Sequence, residues 1–124
     1  MALNSVFLMG RITKDIELRR TGSGVAVAGF SIAVDRDFGK DESGEKITDF
    51  FDIVAWRQTA EFVSKHFSKG RMIVVKGELQ TRSWTDKNGN KRNTVEVLAS
   101  NCYFGDSKKE ETTGSYGGFA KPSA

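Results

Sequence analysis

The residues able to do covalent chemistry are few in this chain. It has one histidine, His66, and one cysteine, Cys102, among 124 residues. One of each supports neither a Cys–His nucleophile with its orienting group nor a zinc centre. His66 falls on a helical apolar stripe and reads as structural; Cys102, beside Tyr103 and Phe104, reads as a small buried residue. Gly22-Ser23-Gly24 lacks the further glycine of a dinucleotide loop, and no Gly-Lys-Ser/Thr phosphate loop occurs. The acids Asp35, Asp37, Asp41, Glu42 and Glu45 read as solvation of a loop. No catalytic residue, metal or cofactor is therefore assigned, and the enzyme class is set aside.

The residues able to do non-covalent chemistry are rings set among cations. Trp84 shares strand parity with Lys76, Glu78, Gln80 and Arg82, whereas Ile73, Val75, Gly77 and Leu79 take the opposite face. A tryptophan packed at a strand end is the plainer reading. The cationic neighbours Arg82 and Lys76 favour a ring that faces a ligand. Phe50 and Trp56 share parity with Asp52 and Val54, while Phe51, Ile53 and Ala55 form the cleaner apolar face. A face of Phe, Asp, Val and Trp suits a stacking surface better than a core, though one ring in the core or at a subunit contact is the alternative. Phe38 stands alone among charges, and either folds back onto the domain or awaits a ligand. Flat rings between Lys and Arg suit an unpaired nucleic-acid strand, because every base offers a face to stack and every phosphate a charge to neutralise.

Alternation is the pattern that must position these side chains, and it dominates over the helical period. Strands are expected over about 4–12, 25–36, 48–57, 71–84 and 92–103, with a polar loop over 37–47. A short helix is expected over about 59–68, carrying Phe62, Val63, His66 and Phe67, with Gly70 at its C-cap. Asn88-Gly89 favours a tight hairpin between the last two strands. Gly10, Gly29 and Gly77 fall inside strands, where they suit the sharp coiling of a small barrel. Five strands with a helix between the third and fourth predict an all-β OB-fold, a five-stranded Greek-key barrel. Val6 and Leu8 lie on one face of the first strand, and Phe7 and Met9 on the other. An apolar residue set on both faces calls for a second partner, which predicts self-association.

Residues 1–104 are expected to form the domain, and the Gly-, Ser-, Thr- and Lys-rich stretch 105–124 a flexible tail. The chain carries 19 Lys+Arg and 16 Asp+Glu, and the net +3 falls on residues 1–104, since three of each lie beyond Phe104. That excess fits a polyanionic partner. No stretch approaches the ~20 apolar residues of a membrane span. A lone cysteine fits a reducing, cytoplasmic setting.

Several segments together resemble the single-stranded DNA-binding (SSB) proteins of bacteria and their phages. They are Asn4-Ser-Val-Phe-Leu-Met-Gly-Arg-Ile12, Phe30-Ser-Ile-Ala-Val34, Asp49-Phe-Phe-Asp-Ile-Val-Ala-Trp56, Lys69-Gly70, Gly77-Glu-Leu-Gln-Thr-Arg-Ser-Trp-Thr-Asp86 and Arg92 through Val97. The resemblance covers residues 1–104. It implies an OB-fold, a homotetramer with a dimer as fallback, and coating of single strands in replication, recombination and repair. The family's stacking positions fall on Phe38, Phe50, Trp56 and Trp84, and its phosphate contacts on Arg19, Lys69, Arg82 and Arg92; Lys76 is added from strand parity. Arg20 and Asn93 stand where many members carry an aromatic residue. Members in cells usually end in an acidic tip, finishing with Pro-Phe, that recruits replication and repair enzymes. This chain ends Gly-Gly-Phe-Ala-Lys-Pro-Ser-Ala124, so recruitment through such a tip is not expected. The implied setting is the cytoplasm, beside the nucleoid or in a phage host. The rival expectations are an OB-fold accessory module that docks other proteins, and an RNA-binding OB module.

Overall fold

A computed structural model describes residues 3–106 of the chain. The elements run β1 (Val6–Ile12), β2 (Glu17–Arg20), β3 (Ala26–Lys40), β4 (Lys46–Trp56), α1 (Arg57–His66), β5 (Met72–Thr85) and β6 (Lys91–Phe104). All six strands lie in one sheet, ordered β1-β5-β6-β4-β3-β2, and a β1–β3 pairing closes it. The first strand of the expected barrel is interrupted. β1 pairs Ile12 with Ile32, and β2 resumes along the same neighbour by pairing Glu17 with Gly29. β1 and β2 are thus one barrel strand broken at residues 13–16, and the closed barrel is the five-stranded OB-fold. β4 and β6 run parallel and every other pair is antiparallel, the mark of the Greek-key path.

Alternation sorts the interior. Ala28, Phe30 and Ile32 of β3, Ile53 and Ala55 of β4, and Ile73 and Val75 of β5 are buried. On β6 the buried series is Val97, Ala99 and then Cys102, a change of parity. The ladder explains it: Lys76 pairs with Asn101 but Gly77 with Ala99, so Ser100 is a bulged residue. Its hydroxyl donates to the Lys76 carbonyl at 3.0 Å. The same crossing makes Gly77 obligatory, since a Cβ there would lie 2.1 Å from the Leu98 carbonyl oxygen. Gly10 faces a similar limit against Ala33, at 2.6 Å, whereas Gly29 has only one atom, at 4.0 Å. Two of the three strand glycines therefore mark close approach, and Gly29 does not.

The 37–47 loop is shorter than its polarity predicts. β3 continues to Lys40 and β4 begins at Lys46, so two strand arms project beyond the barrel. Arg36 pairs with Asp49 at 2.9 Å, and the Thr48 hydroxyl donates to Asp35 at 2.7 Å, which ties the arms together. The turn is an aspartate ring: Asp41 Oδ1 accepts from the backbone N–H of Ser43 and Glu45, at 2.9 and 3.0 Å. The β5–β6 turn repeats it with Asp86, Asn88 and Asn90, and Gly89 takes φ 82°. That five-residue turn replaces the tighter hairpin Asn88-Gly89 suggests, because the Asp86 carboxylate satisfies two more backbone donors.

α1 plugs one end of the barrel with Ala60 and Val63, and Phe67 follows as its C-cap. Gly70 is not the cap. It sits in the next turn, where its N–H donates to the Ile12 carbonyl at 2.8 Å. Among the described residues no helix is long and apolar enough to cross a membrane. Gly105 donates to Met72 O at 3.0 Å, and Asp106 pairs with Arg71 at 3.2 Å. The rest of the tail expected over 105–124, including any tip, lies outside the described residues.

The crossing at Gly77 sets a clear stability test. Gly77→Ala should cost at least ~2 kcal/mol in urea unfolding, the range of forced backbone strain. Gly22→Ala, with nothing within 4 Å, should change it little.

Candidate nucleic-acid interface

The outer face of β4, β5 and β6 carries what the interior cannot hold. The extra residue of the bulge is on β6, so Lys76, Glu78, Gln80, Arg82 and Trp84 of β5 keep one parity and share a face, and past Gly77 both faces of the strand are exposed. Residues directly opposite in an antiparallel pair share a face. Arg92 therefore stands beside Trp84, and Thr94 beside Arg82. On β4 the outward row is Phe50, Asp52, Val54 and Trp56, alternating with Phe51, Ile53 and Ala55. Neither tryptophan is sealed inside: Trp56 is 40% exposed and Trp84 45%.

Two open grooves run over this face. One, of about 440 Å³, joins Trp84 with Arg19, Lys14 and Arg82, and also holds Asp52 and Glu96. The other, of about 420 Å³, joins Trp56 with Lys76, Glu78, Leu98 and Asn4. Val54 lines the first groove, and its β6 neighbour Leu98 lines the second. The two grooves are therefore adjoining parts of one surface, with a ring and at least one cation in each.

The remaining expected residues are spread more widely. Phe50 is 67% exposed on the β4 row, and Phe38 is 88% exposed on the projecting β3 arm. Phe38 is thus on a strand arm, and neither folds back on the barrel nor lines either of these two grooves. Lys69 lies in the α1–β5 turn, where its N–H donates to Asp15 at 2.9 Å. It lines neither groove. Lys76 also sits over the Phe7 ring, 5.9 Å from its centroid. Sequence reasoning missed Lys14, which lies in the break between β1 and β2, and that break has no period to read.

Arg92 is held in place. Its Nε lies 2.8 Å from Asp86 Oδ2, and the Asp86 side chain is 14% exposed. The N–H of Asn90, the Arg92 guanidinium and the N–H of Asn88 keep the Asp86 carboxyl below its ordinary value of 3.8. One carboxylate thus closes the hairpin turn and positions a cation beside Trp84. Burial pushes the Cys102 thiol up to about 12, which leaves no thiolate near neutrality. His66 packs its ring against Phe62, with centroids 4.9 Å apart. Among the described residues no three of His, Cys, Asp and Glu gather to hold a metal ion.

A closed OB barrel with rings and guanidinium groups along one outer face defines a nucleic-acid-binding protein of the base-stacking class. The Single-strand binding protein family model matches residues 3–105, and the chain belongs to that family. It is 42% identical over 113 residues to a single-stranded DNA-binding protein of Caldanaerobacter subterraneus subsp. tengcongensis, covering 91% of this chain and 75% of that one. A protein of the same name from Streptococcus pneumoniae is 41% identical over 122 residues, covering 98% and 78%. The fold is similar to the Plasmodium falciparum SSB solved in complex with ssDNA, with TM-score 0.76, 27% identity, and coverage of 86% of this chain and 97% of that one.

The Asp86 ring gives a signed pH dependence. Its carboxyl is more acidic folded than unfolded, so the stabilisation is complete above the ordinary carboxylate value and is lost as pH falls below it. Asp86→Ala should lower the urea midpoint at neutral pH, and the gap to the unsubstituted chain should close on acidification.

Proposed function

We propose that this chain coats single-stranded DNA without reading its sequence, with bases stacked on Trp84, Trp56, Phe50 and Phe38 and phosphates met by Arg19, Arg82, Arg92, Lys76 and Lys69. It is not an enzyme. Binding of this kind serves replication, recombination and repair, wherever strands are separated. The observation that carries the reading is the half-exposed state of both tryptophans, each in an open groove with a cation beside it. Stacking on such rings is worth ~1–3 kcal/mol per base and tolerates any base, because each has a flat face. Phosphate neutralisation adds affinity that falls as salt rises, by counterion release. The support is uneven among the residues. Arg19, Arg82 and Trp84 share a groove, as do Trp56 and Lys76. Arg92 flanks Trp84 in register, Phe50 continues the Trp56 row, and Phe38 extends the path along the β3–β4 arm. Lys69, on the far turn, is the outlier, and serves a strand that runs past the end of the barrel.

The binding unit we assign is residues 1–104, and the setting is the cytoplasm, where the nucleoid supplies such strands. Self-association belongs to the same proposal. Phe7 and Met9 of β1 are 66% and 54% exposed, and the register extends that row through Val74 of β5 to Tyr103 of β6. Such a patch marks a contact with another protein surface. A homotetramer, with a dimer as fallback, covers it.

Trp84→Ala should weaken binding of oligo-dT by ~1–3 kcal/mol in a fluorescence-anisotropy titration, with the far-UV spectrum unchanged. An unchanged affinity removes Trp84 from the site. In sedimentation at micromolar concentration the chain should run as an assembly, and Met9→Glu should shift it toward monomer. A chain that runs only as monomer defeats the assembly.

A further inference from the structure

One acidic side chain stands inside the row of rings. Asp52 lies between Phe50 and Val54 on the outward face of β4, in the groove that holds Trp84, Arg19 and Arg82. The β4–β6 register that pairs Ile53 with Val97 sets Glu96 at the neighbouring position, and Glu96 lines the same groove. Three cations, Lys14, Arg19 and Arg82, line it too, yet among the described residues neither carboxylate forms an ion pair within 4.0 Å. The four ion pairs that do form lie elsewhere, at Arg20, Arg36, Arg71 and Arg92. An unpaired carboxylate in the middle of a polyanion track repels the phosphates and has only acceptor oxygens to offer. What it can accept from is a base edge.

We infer that Asp52 is a specificity-determining residue: it keeps the phosphates off β4, toward Arg82 of β5 on one side and Arg19 of β2 on the other, and accepts a hydrogen bond from the amino group of the base that lies against β4. This rests on the single-strand reading above and refines it. Cytosine N4 and adenine N6 are donors that an ionised carboxylate takes, while thymine shows its O4 acceptor at the corresponding position. A carboxylate beside a thymine finds one donor, the ring N3–H, set between two acceptor oxygens, a poorer partner than a free amino group. Stacking still supplies most of the affinity, so the consequence is a bias among bases superimposed on binding that tolerates all of them. Glu96, one strand over, widens the same acceptor surface.

The experiment compares oligo-dC with oligo-dT of equal length at two ionic strengths, for the unsubstituted chain, Asp52→Asn and Glu96→Gln. Asparagine keeps the size of Asp52 and both donates and accepts, so it is indifferent to the base. In Asp52→Asn the ratio of dC to dT affinity should fall by about threefold to tenfold, the effect of one charged hydrogen bond in a half-open site. The fall should come mainly from a gain on dT, and Glu96→Gln should move the ratio the same way by less. Asp52 is exposed, and an unchanged thermal midpoint confirms that the variant is folded. A ratio that stays constant while both affinities rise equally overturns the proposal, because Asp52 would then act only through net charge. Failure of the unsubstituted chain to bind either oligonucleotide would instead remove the single-strand reading itself.

Discussion

A barrel of five strands has a narrow interior, and that limit governs where every ring in this protein can go. Among the described residues the largest fully buried side chains are Ile12, Ile32, Ile53, Ile73, Val63, Val75 and Val97, all aliphatic, and the buried core there takes only Phe30 and Phe67 among the large aromatics. Strict alternation along β4 and β5 then commits the remaining positions outward. Trp56 and Phe50 are on the surface because the chain has no room for them on the face that carries Ile53 and Ala55, and Trp84 stands further out on β5, where both faces of the strand are exposed. The exposure of flat apolar rings is the unfavourable consequence of the fold, and in the proposed function a strand of unpaired bases would relieve it by covering them.

The charges follow the same geometry. Positions Lys76, Arg82 and Arg92 bracket the rings because they share their parity on β5 and β6, and the Ser100 bulge lets the buried series of β6 change parity near its end without disturbing that of β5. The two aspartate-ring turns hold the far ends of the long hairpins, so Phe38 and Trp84 stand on braced arms where open loops would leave them unsupported. The net +3 of the chain is modest, and its effect depends on this placement. Acids stand among the cations of the face, Asp52 and Glu96 in the groove of Arg19 and Arg82, so its charge is patterned and not uniformly positive.

Much of this was legible in advance, for physical reasons specific to certain positions. Trp56 and Trp84 were readable because a period of two needs no tertiary knowledge, and the strands that carry them are long and regular. The helix could be placed from Val63 and Phe67, but its end could not, since Gly70 serves a tertiary hydrogen bond to Ile12 that has no local signal. The arms over 37–47 were hidden because their side chains face water on both sides, and polarity there mimics a loop. β2 was missed because four residues, Glu17–Arg20, are too few to show a period. Lys14 was invisible for the same reason, and groove membership of Asp52 and Glu96 needed the parallel β4–β6 register, which joins residues far apart in the chain. Family resemblance supplied Arg19 and Lys69, for which the local pattern offered nothing.

The central claim is that bases lie flat on the two exposed tryptophans. It is tested most directly by titrating intrinsic tryptophan fluorescence with single-stranded and double-stranded DNA of matched length, at low and high salt. Variants that each keep only one tryptophan should be included. The account predicts that single strands quench both Trp56 and Trp84, that duplex quenches neither appreciably, and that added salt weakens the single-strand response. Tryptophans that stay unquenched while single strands bind, or that respond equally to duplex, would contradict it.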